Sequence, residues 1–414
     1  MKKVLFCLTV AAMALAVSCS KGDDVYYDAD AVGDKSGDAE YYPAEPGASG
    51  DYGDGMLDSD FGGSQNGGGG EAGVLTAAEW NDLANWEFWT NVMNNQEWNN
   101  SFEVWKMDTS SRIAIRVKDA AGEPVVNLPV ALYVGQSCLW EARTSVKGEA
   151  NCWYDIFSII EPTVNLTLKI GDVMQTEAPV ISTGKEEEPV VWNEYVVTAT
   201  APQKKADIAF IVDSTGSMGD EIAFLKEDLL SILTKVQQSQ AGVEIRTGTV
   251  FYRDEGQYEE YLIRHSDFTT DFSSTMQFIK NQDANGGGDL PEAVHTALET
   301  TLQKLSWNPD ARSRIAFLIL DAPAHYDRQG VVESIHQSLA AFAKQGIHII
   351  PVLASTADKT AEFMCRYFAI VTDGTYVFLT DDSGVGESHL TPTVGQFTVE
   401  KLNDLLVRLI NENI

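Results

Sequence analysis

Read for the spacing of its apolar residues, this chain of 414 residues changes rhythm several times. A short apolar stretch from Val4 to Val17 follows two lysines. Residues 20–73 then carry almost no aliphatic side chains. Behind Thr76 as a cap, Trp80, Leu83 and Trp86 recur at three-residue spacing, which predicts an amphipathic helix within a Trp-rich helical segment, 74–108. Across 109–200 the period shortens: "RIAIRV", "PVALYV", "NCWYDI", "VNLTLKI" and "NEYVVTA" are strand-length segments separated by turn signals such as "DAAGEP" and "VKGEA". They predict a small all-β sandwich. From residue 205 to 414, continuous apolar runs such as "DIAFIV", "RIAFLIL" and "GIHIIPVLA" alternate with amphipathic stretches such as "MGDEIAFLKEDLLSILTKVQQ" and "VVESIHQSLAAFAKQ". Buried strands alternating with helices predict a doubly wound, mostly parallel α/β sheet covered on both faces.

In such a sheet, the loops after the carboxyl ends of the strands share one rim, where ligands bind. Following the chain up and down places three polar clusters there. The first strand ends at Asp213. An antiparallel edge strand, "YEEYLIRH", and the helix "FSSTMQFIKNQ" return the chain to the same rim at "DANGGGDLPE", and "RIAFLIL" climbs to Asp321. Asp213, Thr215, Ser217, Asp289, Glu292 and Asp321 are then an oxygen-only set, which suits magnesium, calcium or manganese rather than zinc or copper. If "DSTGS" is extended, its alternate residues Asp213, Thr215 and Ser217 point the same way. The glycines of "NGGGD" allow close backbone approach.

The pattern Asp-x-Thr-x-Ser-Met, the loop "GGGDLPEA" and the aspartate of "FLILDAPAH" resemble the metal-ion-dependent adhesion site of von Willebrand factor type A domains, over about residues 205–414. Asp289-Leu290-Pro291-Glu292 is similar to the Asp-x-Pro-Glu signature of hemicentin-like and integrin β-like members. The resemblance implies a divalent cation that takes an acidic or other oxygen-donor ligand from a partner, with no catalytic machinery. Two departures stand out: Thr215 replaces the more frequent serine, and Asp289 stands where a threonine is usual. Asp220 and Glu221 correspond to an adjacent second ion site in integrin β domains, or simply favour the positive end of the first helix. Tyr252, Arg253, His325 and His389 lie in rim loops as ligand contacts or local structural partners.

Composition narrows the partners. A formal net charge of −32 repels nucleic-acid phosphates and anionic lipid surfaces. Among reaction motifs there is no Gly-x-Ser-x-Gly, His-Glu-x-x-His or phosphate-binding loop, so the expectation is a binding protein, not an enzyme. A metal-dependent hydrolase would use Asp321 as ligand and His325 as base, and a structural ion is a further alternative.

"MKKVLFCLTVAAMALAVSCSKGDD" resembles the signal of Gram-negative bacterial lipoproteins, which implies a signal peptide over 1–18 and acylation at Cys19. Residues 19–73 form an acidic, Gly/Ser-rich tether. Asp23 and Asp24 resemble signals for the outward face of the outer membrane, with the lipid as the only membrane attachment. The sandwich, with "RVKDAAGEPVVNLPVALYV", looks like transthyretin-type or carboxypeptidase-regulatory-like modules that act as spacer or support. Cys138 and Cys152 flank a turn and are either a disulfide or two separate thiols.

Overall fold

The structure, a computed structural model, describes residues 75–157, 165–182, 184, 190–256, 259–288, 290–383 and 389–414. The signal peptide, Cys19, the tether and Asp289 lie outside the described residues. All described residues belong to the unit Asn66–Ile414.

The chain begins with β1 (Thr76–Trp80), α1 (Trp86–Met93) and α2 (Gln96–Trp105). Seven strands follow: β2 (Arg112–Lys118), β3 (Pro129–Val134), β4 (Ser137–Arg143), β5 (Glu149–Trp153), β6 (Leu166–Ile170), β7 (Val173–Met174) and β8 (Trp192–Val196). Then come β9 (Gln203–Asp213), α3 (Gly219–Ser239), β10 (Glu244–Tyr252), β11 (Ile263–Thr269), α4 (Phe272–Lys280), α5 (Val294–Lys304) and β12 (Ala311–Leu320). The chain closes with α6 (Val331–Gln345), β13 (His348–Leu353), α7 (Lys359–Val371), β14 (Tyr376–Thr380), β15 (Glu400–Lys401) and α8 (Leu402–Glu412).

Among the described residues the main sheet has the order β11-β10-β9-β12-β13-β14-β1-β15. From β10 to β14 its strands are parallel, while β11 and β1 run antiparallel at either side. Alternate residues of β9 feed two separate cores: Ile208, Phe210 and Val212 pack on one face, Ala209 and Ile211 on the other. Burial on both faces explains why these strands read as unbroken apolar runs. The antiparallel edge is Ile263–Thr269, a few residues later than "YEEYLIRH" suggests. The sandwich consists of the sheets β5-β2-β8 and β4-β3-β6-β7.

Two expectations are corrected. The helix capped by Thr76 is absent; Thr76–Trp80 is β1, paired antiparallel with Thr380–Tyr376 of β14. Ala77 faces one core and Ala78 and Trp80 the other, so the segment covers an edge that β14 would otherwise leave unpaired. The three-residue Trp spacing belongs partly to this strand and partly to α1. Cys138 and Cys152 are free, the first exposed on β4 and the second buried on β5, in different sheets.

The N-terminal segment is held by a buried ion pair. Arg366 of α7 donates from Nε and Nη2 to Asp82, at 2.9 and 2.6 Å, with side chains 0% and 1% exposed. The guanidinium lies 4.9 Å from the Trp89 ring and 5.3 Å from that of Trp98, and Trp80 Nε1 also donates to Asp82. Removing one member of a buried pair leaves the other desolvated and uncompensated. Arg366→Ala is therefore expected to cost about 3–5 kcal/mol in chemical denaturation, against well under half of that for a surface substitution such as Lys235→Ala.

Candidate functional site

The geometry of the rim follows from strand register. β9 and β12 pair Val212 with Ile319, and β9 and β10 pair Asp213 with Tyr252. Tyr252, Asp213 and Asp321 thus crown three neighbouring parallel strands. Asp213 is fully buried and Asp321 is 3% exposed.

Thr215 donates to Asp213 Oδ1 from its backbone N–H at 2.9 Å and its hydroxyl at 2.8 Å. Asp213 Oδ2 is buried without a hydrogen-bond partner among the described residues. Burial first, then the charge of Asp321, pushes the Asp213 carboxyl up to about 7, against the pull of Thr215. The extended geometry assumed for "DSTGS" stops at Thr215, because Gly216–Met218 form a 3-10 turn that carries Ser217 to the exposed surface. Alternation therefore does not align Ser217 with Asp213.

The second loop is laced to the first. Gly216 N–H donates to Gly286 O, and Asn285 N–H to Ser214 O, both at 3.0 Å. Gly287 has φ +69, and a Cβ there would meet the Thr215 Cβ at 3.0 Å and Glu292 Oε1 at 3.1 Å, so glycine is what brings Thr215 and Glu292 together. Glu292 is 3% exposed, and its Oε2 has no hydrogen-bond partner among the described residues. Burial, followed by the charges of Asp213, Asp254, Asp321 and Glu259, raises it to about 9. Burial and Asp213 likewise push the Tyr252 hydroxyl well above its usual value.

Asp220 is exposed, whereas Glu221 is buried, accepts from Ser355 at 3.1 Å and is raised to about 7, chiefly by burial. Tyr252, Arg253 and His325 are 0%, 3% and 1% exposed. Arg253 donates to Ser214 O and Asp283 O, so it ties loops together. His325 Nε2 is bound to Asp254 Oδ1, and His389 Nδ1 to Asp381 Oδ1.

Several contributors escaped the sequence reading. Thr356 donates to Asp321 Oδ2 at 3.4 Å, and Glu259 Oε1 accepts the Gly287 N–H at 2.8 Å. "AST", directly after the strand "HIIPVL", obeys the same strand-end rule that singled out Asp213, and would have pointed to Ser355 and Thr356.

Residues 207–364 match the family described as von Willebrand factor A domain. The chain contains a von Willebrand factor A domain. Domains of this family generally mediate protein interactions and are typically non-catalytic. The chain is 30% identical over 121 residues to the alpha-protein kinase vwkA of Dictyostelium discoideum, spanning 29% of this chain and 19% of that protein. It is 31% identical over 124 residues to a putative ariadne-like RING finger protein of Acanthamoeba polyphaga mimivirus, spanning 30% of this chain and 12% of the other. The chain thus spans a fifth or less of these curated relatives. Among solved structures, the conserved hypothetical protein BatB from Bacteroides thetaiotaomicron aligns with TM-score 0.34 and 14% identity, over 50% of this chain and 97% of that one.

The residues of the rim fit a hard divalent cation by donor chemistry: two orphaned, buried carboxylate oxygens, on Asp213 and Glu292, face the same loops as Asp321 and the hydroxyl of Thr215. Among the described residues, no three His, Cys, Asp or Glu side chains form a group that holds a metal by themselves, so hydroxyls or further donors are part of any such set. Without a cation, Asp213, Glu221 and Glu292 are carboxyls whose folded pKa values exceed the unfolded ones. The stability they permit is full near pH 4 and is lost as pH rises through about 7 and about 9. In chelator, the melting temperature is expected to fall progressively from about pH 5 to about pH 9, and to fall less in Glu292→Gln, as read by calorimetry.

Proposed function

We propose that this is an envelope lipoprotein whose von Willebrand factor A domain binds a protein or other oxygen-donor ligand through a divalent cation, in adhesion or assembly. The observation that carries this is the convergence of Asp213, Glu292 and Asp321 at the sheet rim, with buried oxygens of the first two left without partners. Asp213, Thr215, Asp321 and Glu292 would hold magnesium, calcium or manganese, with Ser217 and Asp289 as further donors. When bound, the ion supplies positive charge and a coordination position for the ligand oxygen. The chain's part is to fix the carboxylates and to keep water from the buried side.

We read the chain as a binding protein rather than an enzyme. His325, the base of the hydrolase alternative, is 1% exposed and its Nε2 is engaged by Asp254. The lipobox-like residues before Cys19 support a lipid anchor at the outer membrane, and no described helix is long and apolar enough to cross a membrane. The acidic residues after Cys19 support display on the outer face.

A structural ion is the second reading, favoured by the 3% exposure of Glu292 and the 2% exposure of Thr215. Water-proton relaxation with bound Mn2+ separates the two: exchangeable inner-sphere water is expected for an open site, and none for a closed one. Saturating cation should stabilise the native protein by about 2.7 kcal/mol at a hundredfold excess over Kd. Asp213→Ala should abolish that gain and the chelator-sensitive capture of partners from envelope extracts. Capture that persists in both Asp213→Ala and chelator rejects the metal-mediated reading. Cys19→Ser should end palmitate incorporation and shift the protein from the membrane to the soluble fraction.

A further inference from the structure

A cavity of about 210 Å3 opens at the amino end of β14, the opposite edge of the sheet from Asp213 and Asp321. Three parts of the chain build it. The turn after β1 contributes Leu83, the sandwich contributes Arg112, Lys147 and Trp192, and the C-terminal domain contributes Asp373.

Its donors and acceptors are unevenly spent. Arg112 is 1% exposed, donates from Nε to Asn151 Oδ1 at 2.7 Å and from Nη1 to Leu83 O at 2.9 Å, and lies 4.6 Å from the Trp86 ring. Its Nη2 makes no hydrogen bond, and neither Arg112 nor Lys147 has a carboxylate at ion-pair distance, among the described residues. The carboxylates of the wall are already engaged. Asp373 accepts twice from Asn151, Glu149 accepts from Arg116 at 2.7 Å, and Glu412 from Arg408 at 3.2 Å. Burial outweighs the attraction of Asp373 and Glu149 and lowers the Arg112 pKa to about 10.

A buried cation with no carboxylate at ion-pair distance is costly, and in a chain of net charge −32 acidic residues are plentiful. The cavity therefore has two unspent cations, one of them deeply buried, beside an indole whose other neighbour is the Arg116 guanidinium at 4.2 Å. Cationic donors bind carboxylates, and an indole wall suits the C–H face of a ring. The volume lies below the usual range for drug-sized ligand sites, so an occupant is small and only partly enclosed.

We propose that this cavity binds a small organic acid of monosaccharide size, its carboxylate held by Arg112 and Lys147 and its body laid against Trp192. This site is independent of the metal rim and stands whether or not a cation binds there.

Calorimetric titration of the purified protein with glucuronate, glucose and inorganic phosphate tests it. The expected result is one glucuronate per chain, with glucose and phosphate each weaker by at least about tenfold. Lys147→Glu, exposed, and Trp192→Ala, half-exposed at the surface, should each weaken glucuronate by about tenfold or more, with folding of both variants checked by circular dichroism. Arg112→Lys tests the buried donor, but its loss could unfold the junction, so the two surface variants decide. No binding of glucuronate at millimolar concentration, equal binding of glucose or phosphate, or unchanged affinity in both surface variants overturns the proposal.

Discussion

Neighbouring parallel strands that each end in a buried aspartate impose the constraint on which this molecule turns. The β9–β12 register brings Asp213 and Asp321 to adjacent strand ends, and Glu292 joins them from the next loop. Two unit charges ~5 Å apart, the spacing of adjacent strands, repel by ~3 kcal/mol at an effective dielectric near 20. Burial and then this repulsion favour the protonated forms, and together they lift the carboxyls of Asp213 and Glu292 to about 7 and about 9. A divalent cation relieves it without protons. The loops that bear these residues are knitted by backbone hydrogen bonds through Ser214, Gly216, Asn285 and Gly286, so the carboxylates cannot move apart to escape each other.

Legibility in the sequence tracked how local each cause was. The parallel core was readable because strands buried on both faces must be continuously apolar, and "DIAFIV" and "RIAFLIL" leave no other period. The rim was readable for the same reason: strand direction fixes which loops meet, with no side-chain detail needed. The geometry inside the loops was not. Whether Gly216–Met218 continues as strand or tightens into a 3-10 turn depends on the Gly216 bond to Gly286, seventy residues away, and no periodicity encodes it. The identity of Thr76–Trp80 failed similarly. Its Trp spacing is helical, but pairing with β14 wins because an unpaired sheet edge costs more than a weak helix gains.

The cysteines and histidines show a different limit. Sequence proximity suggested that Cys138 and Cys152 meet across a hairpin, yet the chain crosses from one sheet to the other between β4 and β5, and the hairpin partner of β4 is β3. For Tyr252, Arg253 and His325, position in a rim loop was visible but direction was not. All three turn inward, where Arg253 and His325 are consumed in fastening the loops.

The accessory segments do more than separate the sheet from whatever precedes it. β1 and the Asp82–Arg366 pair make the Trp-rich segment part of the C-terminal sheet and its helix α7. The sandwich attaches low and to the side: Asn127 bonds Arg314 and Pro309, Glu141 pairs with Lys344 near the end of α6, and Phe157 stacks on His336. The sandwich contacts lie along α6 and at the amino ends of the strands, while Trp105 of the Trp-rich segment packs against Tyr326 in the loop that follows β12. Such an arrangement stiffens the platform that carries the rim. The junction of all three segments is also where Arg112 is walled in, bonded to Asn151 and to the carbonyl of Leu83 at the lining of the cavity.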